Sequence, residues 1–374
     1  MSASKGPGLQ VGIDYLPAVS HAPGVGRYVR ELVRALVRLE ERPELALYEV
    51  GRAERVMDGP SLGLTPGDPR VKRCVSQRSR RLLGFAPLAR WRCADRALGG
   101  VDLFHQVLHD APPIDTALES FALSELPARG SRTERRLGER LARARAVLVF
   151  SSEFAERVRQ RFALPASKVE HVHVGCEHWR RDLARIERAV SPARLLVLGA
   201  TRSERRHTAI LAACERLVLD GMQLQLVLAG RKGPAEALFA DRLARSPIKE
   251  RVERHVDPRE AALPMLVASC HVLVHLSDDE GTPVTPLEAF AIGLDVVASR
   301  LSAFEETLGA EALWVDNDEA VRAPDRLAAT LARAIERRQD MNLATKRELL
   351  AREYTWERNA RETLAIWERL VGKI

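Results

Sequence analysis

A chain of 374 residues is long for one core and has room for two domains. Its hydrophobic fraction of 46% and charged fraction of 29% are those of an ordinary globular protein and exclude disorder, and an aromatic fraction of 5% supplies no stacking platform for single-stranded nucleic acid. The formal net charge of +7, carried mainly by Arg, suits phosphate groups, an anionic membrane face or a plain solvated surface, and position has to decide among them.

Short apolar runs alternate with longer amphipathic segments, which predicts parallel strands joined by crossover helices. In chain order the first half offers LQVGI at 9–13, LALYEV at 45–50, VDLF at 101–104, AVLVF at 146–150 and VEHVHV at 169–174. Polar residues and Ser191-Pro192 in the stretch 178–194 then mark a break. The alternation restarts with RLLVLGA at 194–200, LQLVLAG at 224–230, HVLVHL at 271–276 and DVVAS at 295–299. The expected organisation is a doubly wound domain over 1–185, a second over 186–352, and an amphipathic closing helix over 353–374 that packs back on the first domain. Ligands of such sheets bind beyond the carboxyl ends of the strands, so the strand-to-helix loops are where chemistry is expected.

Five cysteines, Cys74, Cys93, Cys176, Cys214 and Cys270, are scattered, odd in number and free of CxxC spacing. That argues against a disulfide framework and a zinc site and fits a reducing compartment. The first residues, MSASKGPGLQVGIDY, lack the apolar core of a secretion signal, and no run of about 18 apolar residues could span a bilayer. A cytoplasmic protein, at most resting on a membrane, is expected.

Ser277-Asp278-Asp279-Glu280-Gly281-Thr282-Pro283-Val284-Thr285-Pro286-Leu287-Glu288 follows an apolar strand and opens a helix. It sets two glutamates eight positions apart across a strand-loop-helix junction, where carboxylates and free backbone N–H groups suit a polyhydroxyl ligand that carries phosphate. Thr285-Pro286-Leu287-Glu288 also reads as a capping box with Pro at the first helical position, in which Glu288 would only cap. Gly24-Val25-Gly26-Arg27-Tyr28 is either a glycine-rich ligand loop or a tight turn into a helix. Arg205-Arg206, after the strand ending at Gly199, is either a phosphate grip or a solvated basic loop.

Together these segments resemble family 4 glycosyltransferases, whose E-x7-E motif matches Glu280 to Glu288. The resemblance extends over Val149-Phe150-Ser151-Ser152-Glu153-Phe154, Val172-His173-Val174-Gly175-Cys176-Glu177, the run Ala291–Ser299 and Ser302-Ala303-Phe304-Glu305-Glu306-Thr307-Leu308-Gly309. It implies the GT-B fold, two Rossmann-like domains facing a central cleft. The C-terminal domain would bind a UDP- or GDP-linked sugar of mannose or glucose type, and the N-terminal domain a glycan or lipid-linked acceptor.

Carried over residue by residue, Glu288 would bind the ribose hydroxyls and Glu280 would lie near the transferred sugar. Arg206, with Arg205 beside it, would stabilise the departing diphosphate, which makes a divalent metal unnecessary. Gly24 and Gly26 would face the donor phosphates, with Gly281, Thr282 and Thr285 also on the donor. The family transfers with retention and needs no cofactor besides the donor.

The sequence departs from the family in three places. Ala200 stands where an Arg is usual, Thr282-Pro283 replaces Phe-Gly, and the usual His-Asp pair is replaced by Ser124-Glu125, with His109-Asp110 as a substitute. A catalytically silent GT-B subunit of a glycan-assembly complex is therefore the alternative. The basic stretch from Arg70-Val71-Lys72-Arg73 to Arg90-Trp91-Arg92 interleaves basic and apolar residues as in segments lying on anionic membranes. Nucleic acid is not an expected partner, because no recognition module is present.

Overall fold

Leu- and Val-rich runs bounded by Gly, Pro and Asp become parallel strands in both halves of the chain. The computed structural model describes residues 8–20, 24–50, 62–76, 93–108, 114–181 and 188–372. Two units form, one from Met1–Gly175 with Trp356–Ile374 and the other from Cys176–Thr355.

The first unit is built on β1 (Gln10–Asp14), β2 (Glu44–Val50), β3 (Val71–Ser76), β4 (Leu103–Gln106), β5 (Leu118–Ala122), β6 (Ala146–Val149) and β7 (Val169–His171). They pair in the order β3-β2-β1-β4-β5-β6-β7, every pair parallel. The second unit holds β8 (Ala193–Leu198), β9 (Leu224–Gly230), β10 (Val252–Val256), β11 (Val272–His275), β12 (Asp295–Ser299) and β13 (Leu313–Val315) in the order β10-β9-β8-β11-β12-β13, again all parallel. Both are the doubly wound Rossmann order. The order in which strands are added reverses between β1 and β4 in one sheet and between β8 and β11 in the other, and a crevice at the carboxyl ends follows from that reversal.

The cores are apolar on both faces of each sheet. In the second unit Leu195, Val197, Leu226, Val272, Val274 and Val297 lie under the helices His207–Leu219 and Pro324–Arg337, which pack on each other. In the first, Trp356–Val371 packs along Val25–Leu36.

The expected join at 185/186 falls within 182–187, outside the described residues, and the units divide earlier, after Gly175. Two close approaches fix that point. Cys176 donates its backbone N–H to Tyr354 O at 3.0 Å, closing the second unit on itself. A β-carbon at Gly175 would lie 2.4 Å from the Trp356 ring, so only glycine lets the first unit's two segments meet.

The run VEHVHV forms a strand only over Val169–His171. Beyond it, Val172 still donates to Val149 O at 2.9 Å, but His173 N–H goes to Glu362 Oε2 at 2.7 Å and its carbonyl accepts from Asn359 Nδ2, so His173 bonds the final helix instead of the sheet. Part of the basic stretch belongs to the sheet: Val71–Ser76 is the edge strand β3, where Arg73 makes two 2.6 Å bonds to Glu49. Residues 77–92 and His109 lie outside the described residues.

Candidate functional site at the carboxyl ends of β8 and β11

The loop after β8 is shaped by backbone crowding. A β-carbon on Gly230, at the end of β9, would lie 2.0 Å from Gly199 O, and one on Gly233 would lie 2.3 Å from Thr201 O. With both positions stripped of side chains the β8 and β9 loops press together, and Thr201 Oγ1 donates to Glu236 at 2.8 Å. The chain then makes a tight turn over Ser203–Arg205, and Arg206 adopts the left-handed conformation, φ 53°, just before the 13-residue helix His207–Leu219. No side chain caps that helix, so its first N–H groups and partial positive charge stand beside two guanidinium groups.

Across the reversal point, β11 is buried throughout and delivers Ser277–Pro283 to the same end of the sheet. Ser277 N–H donates to Ser299 Oγ at 2.8 Å, and Asn317 Nδ2 donates to Ser277 O and, at 3.2 Å, to Asp278 Oδ1. This side-chain scaffold presents two acids to the two arginines. Arg206 Nη2 donates to Asp278 Oδ1 at 2.6 Å, and Arg205 Nη2 lies 2.6 Å from Glu280 Oε1.

Beneath the second pair lies His275, the last residue of β11 and only 3% exposed. Its Nε2 is 2.8 Å from Arg205 Nη1 and 3.1 Å from both Glu280 oxygens. Burial pushes the Glu280 carboxyl up, but His275 and Arg205 together pull harder and hold it at about 2, so it is an anion at neutral pH. Burial pushes the His275 imidazole down against the pull of Glu280.

The helix after the loop begins at Val284 with Pro283 at its cap position and no side-chain cap. The capping-box reading of Thr285 and Glu288 is therefore corrected: the helix starts a residue before Thr285, and Pro286 falls at its third position, where no helical N–H is needed. Glu288 is fully buried, with Oε1 3.1 Å from Nε2 of His178, itself 7% exposed. Gly281 and Thr282 are buried in the loop, and Thr282 Oγ1 has no hydrogen-bond partner among the described residues. Such an orphan hydroxyl suits a ligand group.

In the first unit Gly24 has φ 71° at the cap position of Val25–Leu36, with open space where a β-carbon would stand, while Gly26 is buried inside that helix. A turn into a helix is thus present, and the left-handed φ at Gly24 calls for glycine. Sequence reasoning missed His275 and His178. Among the described residues no group of three or more His, Cys, Asp or Glu is placed to hold a metal ion, and no helix is long and apolar enough to cross a membrane.

Residues 180–348 match the family model of glycosyl transferases group 1. O-antigen chain mannosyltransferase B of Escherichia coli is 22% identical over 247 residues, which cover 63% of this chain and 64% of that protein. A sucrose-phosphate synthase from Thermosynechococcus elongatus has the same fold with a TM-score of 0.73 at 17% identity, over 98% of this chain and 100% of that one. Anabaena HepE, solved in complex with UDP-glucose, gives 0.68 at 14% identity, over 96% and 99%. The chain thus has the GT-B fold, and its residues 180–348 are similar to the glycosyl transferases group 1.

Proposed function

We propose that the chain is a retaining, family 4-type glycosyltransferase acting in the cytoplasm, which moves a hexose from a UDP- or GDP-linked donor to a glycan or lipid-linked acceptor without a divalent metal. The observation that carries this reading is the pairing of Arg205 and Arg206, at a free helix N-terminus beyond β8, with Glu280 and Asp278 beyond β11. Cations and unpaired N–H groups match a diphosphate, while a carboxylate held anionic matches sugar hydroxyls. The mannosyltransferase of Escherichia coli and the UDP-glucose complex of HepE support the same chemistry for relatives.

In this reading the bond from the anomeric carbon to the leaving phosphate oxygen breaks with its electron pair going to the diphosphate, an acceptor hydroxyl oxygen bonds that carbon on the same face, and the hydroxyl proton goes to the departing phosphate. Arg206 meets that growing charge, which lowers the barrier more than it stabilises the bound donor. Glu280 would accept hydrogen bonds from the sugar. Glu288 would accept from the ribose, sharing its carboxylate with His178.

Calorimetry with UDP, GDP, ADP and TDP on the wild type, Arg206→Ala and Glu288→Gln tests the proposal. One base is expected to bind, and each variant to lose at least about tenfold in affinity, roughly 1.4 kcal/mol. No binding of any of the four would overturn it.

A further inference from the structure

His275 carries an inference that rests on the nucleotide-sugar reading and deepens it. Its Nε2 faces two kinds of neighbour at once. Arg205 Nη1, 2.8 Å away, can only donate, and the Glu280 oxygens, 3.1 Å away, can only accept when ionised. One ring nitrogen satisfies one of these at a time. Bare, it accepts from Arg205; protonated, it donates to Glu280.

Arg205 bridges the pair, with Nη1 on the imidazole and Nη2 on the carboxylate at 2.6 Å. Glu280 is then held by the guanidinium. A diphosphate that draws Arg205 toward itself removes that hold. The ring then releases its Nδ1 proton to water and takes one from water on Nε2, so it stays neutral, and the Nε2–H donates to the carboxylate. The imidazole is well placed for it, since burial at the end of β11 and packing against the Phe304 ring, 5.8 Å between centroids, leave it no room to swing away.

We propose that His275 is a positioning residue: it fixes the Glu280 carboxylate against the donor sugar once the diphosphate has engaged Arg205. Its effect belongs to sugar binding and not to nucleotide binding, which separates it from a merely structural role. Gln can stand in for it, because its Nε2–H can reach a carboxylate as the ring Nε2–H does; Leu fills the space and offers nothing.

The test is calorimetric affinity for UDP, UDP-glucose, GDP and GDP-mannose on the wild type, His275→Leu and His275→Gln. For the base that binds, His275→Leu is expected to weaken the sugar conjugate relative to the bare diphosphate by about tenfold, the size of one lost charge-assisted hydrogen bond, and His275→Gln to stay within about threefold of wild type. An unchanged ratio in His275→Leu, whatever its melting temperature, overturns the proposal. So does a wild type that binds a nucleoside diphosphate but neither conjugate, since Glu280 then has no sugar to hold. Absence of binding by all four in the wild type instead removes the donor-site reading itself, and this inference falls with it.

Discussion

Each sheet carries a histidine on the strand next to its reversal point, and the two histidines are used in opposite ways. His105, inside β4, is fully buried in a closed set of neutral partners. Its Nδ1 lies 2.8 Å from Ser120 Oγ, which also accepts from Trp367 Nε1 at 3.1 Å, and Tyr28 OH stands 3.4 Å from Nε2. His275, at the end of β11, is equally buried but faces Arg205 and Glu280, which are 23% and 16% exposed. The difference is one of depth along the strand. A polar group inside the sheet can be satisfied only by the protein and serves to join elements, here the final helix to β4 and β5. A polar group at the carboxyl end meets charges that solvent, and hence a ligand, can also reach.

The largest effect should come from breaking the closed set. Trp367 is fully buried, and Trp367→Ala is expected to cost about 3–5 kcal/mol in urea unfolding through lost packing and the lost hydrogen bond to Ser120. UDP affinity per folded molecule should not change, because the arginines and acids that would bind it belong to a different sheet and core. A loss below about 1 kcal/mol would show that the network does not hold the final helix.

Acid separates the two histidine sites by pH window. Burial holds the His105 imidazole at about 3, far below its usual 6.5, so between those values the unfolded chain binds a proton that the folded chain refuses. His105 should therefore lower stability as pH drops below about 6.5, by up to about 1.4 kcal/mol per pH unit, and His105→Gln should remove that residue's share of the slope, leaving the share of His207, held at about 4. Glu280 behaves differently. Its folded value of about 2 lies below the ordinary 4.5, so its stabilisation is complete above 4.5 and is lost only as pH falls from there toward 2. Between pH 7 and 5 the gap between wild type and His105→Gln should change. Urea midpoints at pH 7, 6 and 5 decide this, and a constant gap would mean that His105 is not held neutral.

What the sequence revealed of these two regions follows from how local each signal is. The apolar runs of β1, β2, β8, β9, β11 and β12 are buried and close to uniformly hydrophobic, so their strands were legible. β10 was not, because VERHV is a half-buried edge strand whose Arg254 and Glu253 bond Glu236 and Arg194. β5 hides Glu119 behind a hydrogen bond from Gln106, a pairing no single segment displays. Arg205, Arg206, Glu280 and Glu288 sit in short motifs and could be named in advance. His275 looked like one more residue of an apolar strand, and His178 lay in a polar stretch remote in sequence from Glu288. Both acquire meaning only from partners that the fold supplies.

The smallest expected effect is the most informative about the open site. Asp278 is 44% exposed and bonds Arg206 at 2.6 Å, so a carboxylate stands against the guanidinium assigned to a phosphate. Arg206 has donors to spare, but a diphosphate brought beside Asp278 meets a like charge. Asp278→Asn keeps an oxygen acceptor for Arg206 and Asn317 while removing that charge, so the loop should hold its shape and UDP should bind about threefold tighter at low salt, the scale of an exposed charge interaction. The gain should fade at high salt, where the repulsion is screened in the wild type as well. Weaker binding in Asp278→Asn would reverse the assignment: the acid would then be the group that aims Arg206 at the phosphate, and the site would resemble His105 and its partners more than the comparison allows.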